Sequence, residues 1–78
     1  MTPDEEQQAC DALVNLGWLE TEQGLHTEGV LAIQELRQCS LAEARDVFRD
    51  LRVRKRIEEE AAPDTQKVAR FRWVRPAT

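Results

Sequence analysis

The chain has 78 residues, of which 41% are hydrophobic and 33% are charged, and its formal net charge is −4. This composition is typical of a folded domain with one small core and excludes a disordered chain, because Leu, Ile, Val and Trp recur throughout. There is no run of about 20 apolar residues that would span a bilayer. The acidic start of the chain lacks the apolar segment of a secretory signal. We therefore expect a cytoplasmic protein without a membrane segment.

The charges are segregated along the chain. The first 36 residues carry eight Asp and Glu residues and no Lys or Arg, a charge of −8. The remaining 42 residues carry all 11 Lys and Arg residues and seven acidic ones, a charge of +4. Such asymmetry indicates a surface that contacts a charged partner.

Cys10 and Cys39 are the only cysteines, and His26 is the only histidine. Without an export signal, both cysteines are expected to be buried free thiols. The three residues lack the short paired spacings of zinc sites, so we expect neither a metal nor a cofactor. We expect His26 to be partly exposed in a short strand or turn.

The first helix is predicted over about residues 3–16. Thr2 is a suitable cap, Pro3 occupies the first helical position, and acidic residues fill the first turn. Gly17 is the predicted stop. Beyond it, Trp18 and Leu19 are expected to fold back over the core.

Two further helices are predicted over about 28–37 and 41–52. The segment before the second helix predicts a turn at Gln23-Gly24, a short strand at Leu25-His26 and a cap at Thr27. The third helix begins with a capping box, the sequence Ser40-Leu41-Ala42-Glu43. Its apolar positions fall on one helical face.

The segment after Leu51 leaves two interpretations open. Alternating apolar residues favour a strand over about 53–60, whereas the helical propensity of Arg, Lys and Glu favours an extension of the third helix. A loop is expected over 61–65. A second strand is expected over about 67–75, with Ala69, Phe71 and Trp73 facing inward and Arg70 and Arg72 facing outward.

The strand interpretation predicts a register for this hairpin. If Ile57 faces Phe71, then Glu58 lies opposite Arg70, which forms an ordinary cross-strand ion pair. The same register places Arg56 opposite Arg72. Two facing arginines are unfavourable unless an anion lies between them.

The segment from Ile33 to Leu51, IQELRQCSLAEARDVFRDL, resembles the helix-turn-helix core of small bacterial or phage winged helix-turn-helix domains. The apolar residues fall where that core is buried, namely at Ile33, Leu36, Cys39, Ala44, Phe48 and Leu51. The segments VRKRIEEE and KVARFRWV resemble the two wing strands. The resemblance implies an α+β fold: a single winged-helix domain over 1–78 with a three-helix core and a C-terminal β-hairpin wing. Two positions depart from the family, since Gln38 and Arg54-Lys55 stand where glycine is common.

The residues favour binding over catalysis. The sequence shows no convincing set of nucleophile, base and orienting group, and no Gly-rich phosphate loop. The resemblance implies a DNA-associated regulatory module whose recognition helix, 41–52, enters the major groove. Because that helix exposes three acidic residues beside its arginines, we expect the wing to supply most phosphate contacts. The candidate binding residues are Arg45, Arg49, Arg52, Arg54, Lys55, Arg56, Arg70 and Arg72.

Two alternatives use the same basic residues. The chain could be a winged-helix interaction module that binds an acidic protein surface and no DNA. That surface could be the acidic first helix of a second copy, which would give a homodimer. Alternatively, the hairpin charges are simply solvated, with local Glu58–Arg70 pairing.

Overall fold

A computed structural model describes residues 2–63 and 69–76, in which three helices precede a two-stranded antiparallel hairpin. This is the predicted α+β arrangement, a three-helix core with a C-terminal hairpin. The elements in chain order are α1 (Pro3–Val14), α2 (Glu22–Arg37), α3 (Leu41–Val53), β1 (Glu58–Pro63) and β2 (Ala69–Val74). None of the helices in the described ranges has the length and apolar character needed to span a bilayer.

The first helix begins as predicted and ends two residues early. The Thr2 hydroxyl accepts a hydrogen bond from the Glu5 amide at 3.2 Å, which satisfies one free donor of the first turn. The helix ends at Val14, and Asn15 is its C-cap. Gly17 follows with φ of 72°, a left-handed conformation that turns the chain away from the helix axis.

The predicted start of the second helix is wrong. The turn at 23–24, the strand at 25–26 and the cap at 27 all lie inside the first turns of α2. Its N-cap is Thr21, whose hydroxyl accepts from the Gly24 amide at 2.9 Å. Leu25, Gly29 and Ile33 are buried at four-residue intervals and form one continuous helical face. Burial of this face outweighs the local preference of glycine for a turn, so the segment is helical.

The third helix begins at the predicted Ser40 cap, which is one half of the predicted capping box. The Ser40 hydroxyl accepts from the Glu43 amide at 3.2 Å, and the buried residues are Ala44, Phe48 and Leu51. Neither interpretation of 53–60 is correct as a whole. Helix α3 extends through Val53, residues 54–57 form a turn, and β1 begins only at residue 58.

The predicted hairpin register is wrong by four residues. Phe71 pairs with Ala61 instead of residue 57, and Arg72 lies opposite Glu60 instead of Arg56. Lys55 adopts φ of 55° in the preceding turn, which uses residues that the prediction had assigned to the strand. The predicted loop at 61–65 is therefore wrong for 61–63. Residues 64–68, which hold the rest of that loop and the predicted start of the second strand, lie outside the described residues.

Trp73 is the largest side chain of the core, with only 1% of its surface exposed. Its indole N–H donates to the Leu25 carbonyl at 3.2 Å, which ties β2 to the start of α2. Phe71 packs against this core as predicted, whereas Ala69 is exposed instead of inward.

The segment that joins α1 to α2 adds two backbone hydrogen bonds to β2. The Leu19 amide donates to the Phe71 carbonyl at 2.7 Å, and the Phe71 amide donates back at 2.8 Å. Leu19 thus folds over the core as predicted. Trp18 does not, since it remains 40% exposed and instead lies under the Arg72 guanidinium, 4.4 Å from the ring centroid.

Candidate nucleic-acid interface

Two groups stand out among the basic residues of the second half of the chain, and they have different surroundings. The first group faces α1. Arg56 Nε lies 2.6 Å from Glu6 Oε1, and Arg54 lies 3.7 Å from the other oxygen of the same carboxylate. Arg75 pairs with Asp11 in the same way. We call Arg54, Arg56 and Arg75, with Glu6 and Asp11, the α1 ion-pair cluster. These pairs neutralise part of the acidic charge of α1 with basic charge from the second half of the chain.

The hairpin arginines are also engaged. Arg72 forms a cross-strand ion pair with Glu60 and stacks over Trp18. Arg70 is exposed opposite Ala62, so the predicted Glu58–Arg70 pairing does not follow from this register. Lys55 is exposed in the turn before β1. The basic wing expected from the sequence is therefore reduced by pairing with the chain's own acids.

The second group is a row of arginines on α3. Arg45, Arg49 and Arg52 are spaced four and three residues apart, so they share one flank of the helix, and all three are exposed. We call these three residues the arginine row. The acidic side chains of α3, at positions 43, 46 and 50, lie on the adjacent flank, where Asp46 is close enough to pair with Arg49. The acidic residues that made α3 a poor match for DNA in the sequence thus lie beside the arginine row and not within it.

The members of the arginine row are held differently. Arg49 lies 3.2 Å from Asp46, but both side chains are about three-quarters exposed (76% and 72%), so this pair is weak. The guanidinium of Arg52 lies 5.5 Å from the Trp73 ring centroid and 5.9 Å from that of Phe48. These aromatic contacts orient the Arg52 guanidinium in the unbound protein.

His26 lies beside Arg52 at the junction of α2, α3 and β1. Its ring packs 5.6 Å from Phe48 and 5.5 Å from Trp73, measured between centroids. Its Nδ1 is 3.4 Å from an Arg52 nitrogen, and its Nε2 is 3.6 Å from a Glu59 oxygen. The residue is half-buried, as expected, but it lies in a helix instead of a strand or turn.

Glu22 joins His26 and Glu59 in a cluster that the sequence analysis did not identify. One ligand atom from each of the three side chains lies within 4.8 Å of the other two. Glu22 and His26 are four residues apart, which places them on one helical face. That spacing is visible in the sequence, but the prediction of a turn and a strand over 23–26 concealed it.

A shallow groove separates α2 from α3 on the side of Arg45. Its volume is about 310 Å³, and its apolar walls include Val30, Leu31 and Leu41. Leu31 and Leu41 remain 44% and 41% exposed. The groove therefore offers an apolar contact next to one end of the arginine row.

Both cysteines are free thiols, as predicted, and Cys10 is buried whereas Cys39 is half-buried. Burial, reinforced by the Glu6 carboxylate, raises the pKa of the Cys10 thiol above its usual range despite the opposing effect of Arg75 and Arg56. The thiol contacts the Arg56 carbonyl at 3.7 Å as a weak donor. A protonated, buried thiol of this kind is a poor nucleophile.

Comparisons of the chain with protein-family profiles, with curated proteins and with solved structures gave no match.

Proposed function

We propose that the chain is a winged-helix module that binds duplex DNA, with α3 in the major groove, and that it acts without catalysis. The observation that carries the proposal is the arginine row, three exposed arginines on one flank of the third helix. The order of three helices and a hairpin supports it, because this arrangement is compatible with the winged helix that the sequence resembles.

The dimensions of the arginine row suit a DNA groove. Arg45 and Arg52 are seven residues apart, which is about 10 Å along a helix at ~1.5 Å per residue. The major groove is about 12 Å wide and admits one helix. A flank of this length can contact the phosphates of one groove edge while residues at the helix start approach the bases.

The residues that would contact DNA in this proposal differ from those that the sequence suggested. Arg54 and Arg56 are committed to the α1 ion-pair cluster, so their first role in this proposal is structural. Arg45, Arg49 and Arg52 become the principal contacts. Lys55 and Arg70, which are exposed, remain secondary phosphate contacts from the wing side.

The net charge of −4 limits the affinity. The acidic flank of α3 faces any groove that the arginine row enters, so sequence-specific binding of high affinity is not expected. Three or four phosphate contacts give a logarithmic salt dependence of about −3 to −4, at about −0.9 per contact. Binding should therefore be measurable at low ionic strength and weaken steeply as salt is added.

The proposal is tested by titrating isotope-labelled protein with duplex DNA in low salt. We expect amide shifts along residues 41–53 and a salt slope near −3. The double variant R45Q/R49Q should bind at least about tenfold more weakly, at roughly 1 kcal/mol per lost charged contact. The matched control is R37Q, which removes a positive charge from the end of α2, where Arg37 pairs with Glu5 of α1. No shift at low salt, or an equal loss in R37Q, would overturn the proposal.

A second candidate function is supported by the groove between α2 and α3. Its apolar walls adjoin Arg45, which suits a protein partner with apolar and acidic side chains, including a second copy of the chain. Sedimentation of the wild type and of L31E distinguishes the cases. A complex or dimer that L31E abolishes, combined with indifference to DNA, would favour protein binding over DNA binding.

A further inference from the structure

We propose that Glu22, His26 and Glu59 form a binding site for a divalent transition-metal ion such as Zn²⁺. The site joins the start of α2 to the second residue of β1, and the proposal does not rest on DNA binding. One imidazole nitrogen and two carboxylates are a ligand set used for zinc, and they leave a fourth position for water.

The separations of the ligand atoms approach those around a bound ion. Two ligands at about 2.1 Å from a tetrahedral zinc ion lie about 3.4 Å from each other. His26 Nε2 and Glu59 Oε2 are already 3.6 Å apart, and the whole set lies within 4.8 Å. Glu22 is the exposed member of the set, so its side chain has room to move toward an ion.

His26 Nε2 is the second observation that points to a ligand. This atom is buried, and no group in the described ranges makes a hydrogen bond with it. The Glu59 oxygen 3.6 Å away is beyond hydrogen-bond distance, so this nitrogen has lost its hydration without a full replacement, which is costly. A metal ion between His26 and Glu59 would satisfy the nitrogen and neutralise the neighbouring carboxylate.

Arg52 disfavours metal binding through its contact with Nδ1, the other ring nitrogen of His26. A guanidinium can only donate hydrogen bonds, so a hydrogen bond across the 3.4 Å contact has Nδ1 as its acceptor. In the neutral ring the proton then resides on Nε2, the atom that must bind the metal. Metal binding would displace that proton to Nδ1, and a protonated Nδ1 repels Arg52.

The site therefore couples metal binding to the position of one member of the arginine row. Arg52 is exposed, so its guanidinium can move away from His26 toward solvent. A metal ion competes with Arg52 for the ring, and removal of Arg52 should strengthen metal binding.

The test is calorimetric titration of the intact chain with Zn²⁺ in a non-chelating buffer, on a background in which both cysteines are serine. We expect one ion per chain. H26Q and E59Q should weaken binding at least about tenfold, since the loss of even an outer-shell partner typically costs 10–100-fold. R52Q should bind severalfold more tightly. The matched control, E58Q, changes the exposed neighbour on the same strand and should leave affinity within about twofold, because adjacent strand residues point to opposite faces.

A spectroscopic measurement keeps the test decisive if a variant is unstable. His26 is the only histidine in the chain, so its ring nitrogen signals can be assigned without ambiguity. Zn²⁺ should shift the Nε2 resonance in the wild type. Unchanged ring signals at saturating Zn²⁺, equal affinity in E59Q and E58Q, or weaker binding in R52Q would each overturn the proposal.

Discussion

Arg56 Nε lies 2.6 Å from Oε1 of Glu6, so the acidic first helix binds the basic segment of its own chain. The Glu6 side chain is only 12% exposed, and the same carboxylate also faces Arg54. The charges that looked like an external binding surface in the sequence are in part an internal contact between α1 and the turn before the hairpin.

This contact predicts opposite effects on stability and on DNA binding. E6Q should lower the free energy of unfolding by about 1 kcal/mol, because Arg54 and Arg56 lose their common partner. The released Arg56 should at the same time increase affinity for duplex DNA at low salt, whereas Arg54 still pairs with Asp50 at 3.6 Å. Urea unfolding and a DNA titration measure the two quantities. E5Q is the control, since Glu5 pairs at 3.3 Å with Arg37 in a more exposed position. An equal stability loss in E5Q and E6Q would contradict the prediction.

The close packing around Gly29 predicts that its replacement by alanine, a better helix former, destabilises the protein. A Cβ at this position would lie 2.8 Å from Phe48, 3.1 Å from Leu13 and 3.2 Å from the Trp73 indole nitrogen. G29A gains about 1 kcal/mol of helix propensity. It should nevertheless lose about 1–3 kcal/mol from overpacking, since three large core side chains must shift.

Thermal unfolding of G29A and of E28A, the exposed neighbour, separates these two contributions. We expect E28A to be neutral within about 0.5 kcal/mol and G29A to have the lower midpoint. A midpoint above that of the wild type in G29A would show that the core accommodates a methyl group here.

The left-handed residues predict a pair of opposite changes in stability. Gln38 has φ of 50° at the C-cap of α2, where a side chain costs conformational energy. Q38G should therefore stabilise the fold by up to about 1 kcal/mol. Gly17 has φ of 72°, and a Cβ there would meet no atom within 4 Å, so G17A should lose about 1 kcal/mol from backbone strain alone. Chemical denaturation compares the two, and a change of the same sign in both would refute this explanation.

The Cys10 thiol predicts an alkaline loss of stability. Its pKa is raised in the folded state by burial, so the unfolded chain releases this proton at a lower pH. The stabilising contribution is complete below the ordinary thiol pKa of about 8.5 and is lost as pH rises toward the folded value. Unfolding measured from pH 7 upward should show this slope in the wild type and in C39S, whereas C10S should lack it. A slope that persists in C10S would assign the effect to another group.

The sequence was sufficient to predict those elements whose structure depends on interactions between residues close together in the chain. The Ser40 capping box and the helical spacing of Ala44, Phe48 and Leu51 identified α3, because caps and one-sided apolar patterns act within a few residues. The order of elements and the α+β class followed from the same kind of signal.

Features that depend on long-range packing were missed. The first turns of α2 contain Gly24, which locally indicates a turn, yet Leu25 and Gly29 pack under Trp73 and hold the segment helical. The predicted hairpin register was wrong because Lys55 adopts a left-handed conformation that the neighbouring sequence does not indicate. The Glu22–His26–Glu59 cluster requires both corrections, so a correct α2 would have revealed only its first two members.

The hairpin has two strands and therefore two edges, and the described residues protect each edge differently. Leu19 covers the outer edge of β2 with two backbone hydrogen bonds to Phe71. The outer edge of β1 carries three consecutive glutamates, 58–60. A second molecule that added its own β1 to this edge would bring like charges face to face in a low-dielectric contact, which is unfavourable. The acidic strand should thus discourage intermolecular sheet formation and keep concentrated solutions of the protein free of fibrillar aggregates.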